Sequence, residues 1–323
     1  MSAKNMGGMS HFEIWKCHGS GNDFIMVDAI REAAARDVER EAFARAACNR
    51  QRGIGSDGIL FVDRDSDGVC VMDMLNPDGS HAEMCGNGIR CVARLAFERG
   101  YVTNGIMRSG GRDYRVRQVE AWGEGVEACA VDILLKRQSP DFAFMGQRQQ
   151  FINEPIAELD AELRFTAMNP GNPHIVAAVE RIDMAHLEEL GERVKGLREP
   201  FPRGVNISMY EVRSKGEIFV ATYERGAGIT LSCGTAMTSS ATAAVVMGLC
   251  DERRRIEVRN SGGKVYCTTH LNGEEPLTTL EGNATFEWRG RASMCGNELR
   301  FEVEERSEEA ACWQRFVEAT STK

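Results

Sequence analysis

Among the eleven cysteines of this 323-residue chain, two open Gly-containing segments that run straight into helical patterns, Met84-Cys-Gly-Asn-Gly-Ile-Arg90 and Cys233-Gly-Thr235. A thiol at a helix start lies beside backbone N–H groups that have no partner within the helix, at the positive end of the helix dipole, so a thiolate costs less there than elsewhere. The same N–H groups can hold a carboxylate. Two such ends facing one another would place one carboxylate between two thiols, a device for moving a proton from one face of an α-carbon to the other. One cysteine abstracts as thiolate, the other donates as thiol, and the roles exchange in the reverse direction. No pyridoxal phosphate is then required, and neither cofactor nor metal is expected.

The surroundings of the two cysteines echo each other. Asn22, in Gly19-Ser-Gly-Asn-Asp23, precedes Cys85 by 63 residues, and Asn172, in Gly171-Asn-Pro-His174, precedes Cys233 by 61. Spacing alone fits either duplication or coincidence. Duplication would make two similar domains with a pseudo-twofold site between them, each offering one thiol to a shared cleft. Glycine, at 33 positions, gathers in these loops, in Gly53-Ile-Gly-Ser-Asp-Gly58 and in Gly226-Ala-Gly228.

Around these loops the pattern is of strands with long helices between them. Ile89, Val92, Ala93, Ala96 and Phe97 recur with helical spacing and Gly100 stands where a C-terminal cap belongs, which predicts a helix after Cys85. A second helix, of mostly small residues, covers Ala236–Leu249, and Ala34–Cys48 has helical composition. His11–Lys16 and Asp23–Asp28 read as strands around the first loop, and the apolar run Val69–Leu75 ends at the turn Asn76-Pro-Asp-Gly79. Gly204–Val212 and Glu217–Tyr223 flank Ser214-Lys-Gly216 as a hairpin, and Arg255–Arg259, Lys264–Thr269 and Thr285–Trp288 are further short strands.

Several classes of function are excluded. The net charge is −9 and the 39 Lys and Arg are scattered, so neither nucleic acid nor an anionic membrane finds a basic surface. The cysteines are odd in number with no CxxC pair, which argues against a disulfide framework, a zinc site or a thiol redox protein. Residues 1–13 show no apolar leader and no stretch approaches the length of a membrane span, so a soluble protein with reduced thiols in the cytoplasm is expected. Gly53–Gly58 matches a nucleotide-loop spacing but lacks the Lys-Ser/Thr and the strand–loop–helix setting. Cys17, Cys48, Cys70, Cys91, Cys129, Cys250 and Cys267 read as small buried hydrophobes. His11, His18, His81, His186 and His270 are assigned surface or structural roles.

Taken together, Met84–Arg90, Asn76-x-Asp-Gly-Ser80, Gly171–His174 and Glu224-Arg-Gly-x-Gly228 followed by Cys233–Thr235 resemble the signature set of the diaminopimelate epimerase family. The resemblance runs in the family's order from about Phe12 to Gly290 and takes in Gly19–Phe24 and Gly53–Gly58. It implies an α/β fold of the α+β type, with two pseudo-symmetric domains, each of mostly antiparallel strands wrapped around a central helix. The expected divisions are 11–127, carrying the first cysteine, and 128–277, carrying the second. They are followed by 278–290, a strand returning to the first domain, and an extension, 291–323. The implied activity is cofactor-independent conversion of LL-2,6-diaminopimelate to the meso form, in lysine and peptidoglycan precursor biosynthesis. A related two-thiol racemase, for histidine or another amino acid, is the alternative.

Carried over by motif, the resemblance makes Cys85 and Cys233 the acid/base pair with His174 and Glu224 beside them. Glu224 also contacts the amino group at the reacting centre, and the N–H groups of Gly86, Asn87, Gly234 and Thr235 hold its carboxylate. Asn22, Asn76, Asn172, Asn206 and Arg225 grip the distal amino-carboxylate, for which an Arg fork is suited. Oxidation is expected to link Cys85 to Cys233 reversibly. The partner is a small amino acid, and homodimers occur in the family. The segment after Gly290 departs from the family's usual end: it reads as a solvated tail or small helix, and its Met294-Cys-Gly-Asn-Glu298 as a decoy, because Glu298 stands where the first motif has Gly88.

Overall fold

The protein is described by a computed structural model covering residues 11–321, apart from 272, 274 and 297. Most of the expected leader-free segment 1–13, and Asn297 of the decoy motif, therefore lie outside the described residues. Seven strands build the first half: β1 (Phe12–Gly19), β2 (Asn22–Asp28), β3 (Gly58–Arg64), β4 (Cys70–Leu75), β5 (Ile106–Ser109), β6 (Arg112–Val119) and β7 (Ala128–Leu134). Neighbours pair in the order antiparallel, parallel, antiparallel, parallel, antiparallel, antiparallel. Helices α1 (Ala33–Arg36) and α2 (Arg40–Ala47) cross between β2 and β3, and α3 (Gly86–Glu98) crosses between β4 and β5.

The second half repeats this scheme. After a short β8 (Glu154–Ile156) come β9 (Asp160–Met168), β10 (His174–Val179), β11 (Asn206–Ser214), β12 (Glu217–Glu224), β13 (Gly228–Thr230), β14 (Arg255–Asn260), β15 (Gly263–His270) and β16 (Leu277–Asn283). With β13 set aside as a flap on β12, the pairings from β9 to β16 follow the same six senses in the same order. Helix α4 (Met184–Val194) stands where α1 and α2 stand, and α5 (Gly234–Val246) where α3 stands. Identical pairing sense over seven strands, with helices at the same two crossovers, decides the question that spacing left open in favour of duplication. The halves are joined where β7 pairs with β16 and where β17 (Thr285–Cys295) returns to pair with β1.

The two central helices explain themselves from sequence. In α3 every residue from Gly86 to Ala96 is buried, and Gly100 takes the left-handed conformation, φ 69°, that ends the helix. In α5 the small residues Gly234 to Val245 are all buried, so strands approach it from every side. The cysteines read as core fillers, Cys17, Cys48, Cys70, Cys91, Cys129, Cys250 and Cys267, are all buried.

Two expectations are corrected. Ala34–Cys48 is two helices rather than one, because the Glu39 carboxylate accepts from the Ala42 N–H at 3.1 Å and caps a new start. Of the two readings of the segment after Gly290, the small helix is present and the solvated tail is not: β17 continues to Cys295, β18 (Glu298–Arg306) pairs with it, and α6 (Glu309–Ser321) docks on the body of the protein. Trp313 is 5% exposed and lies over the His18 ring, and Glu309 receives Arg94 of α3 and the Phe286 N–H, the latter at 2.9 Å. Buried aromatic and ionic anchors of this kind cannot be read from an isolated charged stretch.

Candidate functional site

Cys85 and Cys233 are the N-cap residues of α3 and α5, both with extended backbone, and the helix starts behind them abut. A Cβ placed on Gly234 would lie 3.0 Å from Asn87 Oδ1 and 3.4 Å from the Gly86 carbonyl carbon, so glycine at these positions is what allows the two helix ends to meet. The Gly88 N–H donates to Cys85 Sγ at 3.3 Å. Cys233 Sγ lies 3.4 Å from Thr235 Oγ1. Thus each thiol occupies the electropositive end of a buried helix, one from each half.

Around Cys85, Asn22 brings its Oδ1 to 3.2 Å of Asn87 Nδ2 and 3.8 Å of the thiol. Asn22 is held from behind by Asp57, which accepts from its Nδ2 at 2.7 Å and from the Asp23 N–H at 3.1 Å. The glycine loop ending at Gly58 therefore positions Asn22. Around Cys233 the hub is His174, which is fully buried. Its Nε2 lies 3.0 Å from Thr235 Oγ1, 3.1 Å from Asn172 Oδ1 and 3.3 Å from Asn206 Nδ2. Asn206 Oδ1 accepts the Arg225 N–H at 2.9 Å, which fixes its amide with nitrogen toward the imidazole. His174 Nδ1 is buried with no hydrogen-bond partner among the described residues.

Glu224, at the end of β12, accepts from Thr230 Oγ1 at 2.6 Å, and its charge acts on the Cys233 thiol. The Arg225 guanidinium donates to the Arg203 carbonyl at 2.9 Å and reaches Glu83, two residues before Cys85, at 3.5 Å, so it spans the rim between the halves. Asn76 lies one residue past the Ile59–Leu75 pair and donates to Ser80 Oγ at 3.0 Å. The structure brings Asn22, Asn87, Asn172, Asn206, Thr235, Glu224 and His174 to the two thiols. Asn76 and the Arg225 guanidinium stand at the periphery. Sequence reasoning missed the residues that hold these from behind. Asp57 lies within the glycine loop with nothing in its spacing to assign it a role, and Thr230 follows Glu224 by six residues with no motif to mark it.

Burial sets the protonation states. Cys85 is pushed up to about 11 by burial, with the Gly88 and Asn87 N–H groups pulling it back. Burial raises Cys233 well above the ordinary thiol value, and the Glu224 carboxylate raises it further. Glu224 is itself raised by burial and eased by the Thr230 hydroxyl. His174 is lowered to about 3 by burial, with the Arg225 cation adding to the effect, so its imidazole is neutral. The resting site therefore holds two thiols and a neutral imidazole beside one carboxylate. Among the described residues no cluster of three or more His, Cys, Asp or Glu is placed to hold a metal. No described helix is long and apolar enough to cross a membrane.

The duplicated strand-wrapped halves are those of an isomerase fold. A hydroxyproline epimerase from Agrobacterium vitis superposes with a TM-score of 0.62 at 14% identity, covering 91% of this chain and 94% of its own. The sequence places the chain more narrowly. The family model for diaminopimelate epimerase matches residues 14–136 and 166–287. The diaminopimelate epimerase of Clostridium acetobutylicum is 37% identical over 314 residues, 95% of this chain and 94% of that protein. That of Desulfitobacterium hafniense is 35% identical over 288 residues, 86% of this chain and 97% of its own length. The chain belongs to the diaminopimelate epimerase family.

Proposed function

We propose that the protein converts LL-2,6-diaminopimelate to meso-diaminopimelate without a cofactor, by transfer of the α-proton between Cys85 and Cys233. The observation that carries the reading is the meeting of two cysteine-capped, fully buried helix starts within a family match that covers both halves. The reacting carboxylate is held by the N–H groups of Gly86, Asn87, Gly234 and Thr235, where two helix dipoles converge. The α-carbon then lies between the thiols. One thiol must lose its proton before it can act as base. Glu224, whose charge acts on Cys233 and whose own carboxyl is raised by burial, is the group placed to take up that proton, and the substrate's α-ammonium offsets the resulting charge.

At the distal end, Arg225 already has a carboxylate, Glu83, at 3.5 Å, and the substrate's second carboxylate takes the same kind of partner. A shorter amino acid would leave Arg225 and the asparagines Asn22, Asn76, Asn172 and Asn206 without that partner, which is the basis of selection. The reaction is assigned to lysine and peptidoglycan precursor synthesis in the cytoplasm.

Proton NMR in deuterated water tests the reading, with LL-diaminopimelate, no added cofactor and a reducing agent, and histidine and glutamate as parallel substrates. Loss of the α-proton signal with formation of the meso product is expected. Exchange of histidine or glutamate instead would overturn the substrate assignment, and no exchange at all would overturn the chemistry.

A further inference from the structure

Arg90 is wholly buried behind the two helix starts, yet among the described residues no carboxylate pairs with it, and the groups of opposite sign that act on it are thiols. Its donors all go to neutral acceptors: Nη1 to the Gly86 carbonyl at 2.8 Å, Nη2 to Asn87 Oδ1 at 3.1 Å and Ser20 Oγ at 3.2 Å, and Nε to the Asn283 carbonyl at 3.2 Å. The guanidinium lies in a slot made by two glycines. A Cβ on Gly282 would fall 2.6 Å from its central carbon, and one on Gly19 2.9 Å from Nη2. Neither glycine has the left-handed backbone that would call for glycine on its own account. The space is therefore kept for the side chain.

A buried guanidinium without a counter-ion is costly, and arginine does not escape the cost by losing its proton. Hydrophobic packing alone would be served by an apolar residue. The duplicate position in α5, five residues past Cys233, is Thr238, which satisfies the equivalent carbonyl, that of Gly234, at 2.8 Å without any charge. Structural support of a helix start thus needs only a hydroxyl, and the cation on the Cys85 side needs a different reason. The groups that feel Arg90 are Cys85 and Cys91 of α3 with its N-cap, Cys129 of β7, Cys267 of β15 and His18 of β1, while Glu224 faces Cys85 from the other half.

We propose that Arg90 is a positioning residue for the proton transfer: it fixes Asn87 and the first turn of α3, and its fixed charge compensates the anion that forms at Cys85 during turnover. The inference rests on the two-thiol reading above. It makes the pair electrostatically unequal: the Glu224 carboxylate acts on both thiols, while the Arg90 cation stands behind Cys85.

The test follows iodoacetamide alkylation of each cysteine against pH by peptide mass mapping in the full-length protein, alongside the steady-state kinetics. In Arg90→Met, alkylation of Cys85 at pH 8 falls roughly tenfold, the shift expected on removing one nearby opposite charge, kcat falls in parallel, and Cys233 is little changed. Arg90→Lys keeps the charge but not the fork, so Cys85 reactivity largely returns while kcat recovers only in part. An Arg90→Met protein with wild-type Cys85 reactivity and kcat, or one in which both cysteines shift equally, overturns the inference. Should Arg90→Met not fold, the wild type decides: Cys85 must alkylate at lower pH than Cys233, and the reverse order refutes the charge asymmetry. An active wild type with indifferent Arg90 variants sinks only this inference. An inactive wild type sinks the two-thiol reading and with it any role of Arg90 in proton transfer, whatever the alkylation of Cys85 shows.

Discussion

Replacing Trp313 by Ala asks whether the C-terminal helix is part of the folded unit. The indole is 5% exposed, stacks on Phe316 at 5.6 Å between ring centroids, and covers His18 at 5.8 Å. It also fills the face of Gly263, where a Cβ would stand 2.9 Å from the ring. Deleting a buried Trp side chain costs about 3–5 kcal/mol, because the cavity adds to the lost transfer energy. With Arg94 and Glu309 tying α6 to α3 at 2.7 Å, the helix cannot simply detach without exposing a buried ion pair, so the loss falls on the whole protein. At roughly 2 °C per kcal/mol for a chain of this size, the melting temperature should drop by about 6–10 °C. Thermal unfolding followed by circular dichroism reads this directly, and Trp313→Phe should recover about half of it. A Trp313→Ala protein melting within about 2 °C of wild type would refute the claim that α6 belongs to the core.

Three further outcomes are expected. Cys85→Ala and Cys233→Ala should each reduce turnover by at least about 10²–10⁴-fold with folding unchanged, since each loses one proton carrier, and oxidation of the wild type should join these two cysteines reversibly; near-normal turnover in either variant, or a different pairing in the peptide map, contradicts the two-base model. Arg225→Lys should raise KM for LL-diaminopimelate by roughly tenfold or more while affecting kcat less, because a point charge replaces a fork; an unchanged KM removes Arg225 from the distal grip. Finally, His18 and His174 are lowered by burial to about 4 and about 3, so on acidification the unfolded chain takes up protons near pH 6.5 that the folded chain refuses. Their contribution to stability is full above that pH and is lost as pH falls toward 4, so the urea midpoint should be lower at pH 5 than at pH 7.5. A slope that persists undiminished in His18→Gln/His174→Gln would show that other groups carry it.

The chemistry of this protein was legible in its sequence wherever it depends on local backbone. A cysteine before Gly-Asn-Gly or Gly-Thr and a run of helix-compatible residues becomes an N-cap thiol through short-range geometry, and Gly100 ends α3 through its own φ of 69°. The hairpin around Ser214–Gly216 and the turn after Leu75 follow from turn residues between apolar runs in the same way. Even the duplication left a trace in spacing, although only the shared order of strand pairings proves it.

What lay beyond the sequence are the relations between distant segments, because burial and long-range pairing belong to no single stretch of chain. Nothing in Gly171–His174 announces that its histidine is fully buried and neutral, a state that depends on Thr235 and Asn206 from other elements. The helix break before Arg40 turned on one carboxylate choosing a local cap. The charged residues after Gly290 resembled a solvated tail because their anchors, Arg94, His18 and Gly263, sit far earlier in the chain. Arg90 was written inside the first cysteine motif, but its meaning came from two glycines, Gly19 and Gly282, that leave a slot for a charge with no counter-ion among the described residues. Residue types and local spacing determined which groups could react; tertiary packing alone decided which of them meet, what burial does to their protons, and what holds them from behind.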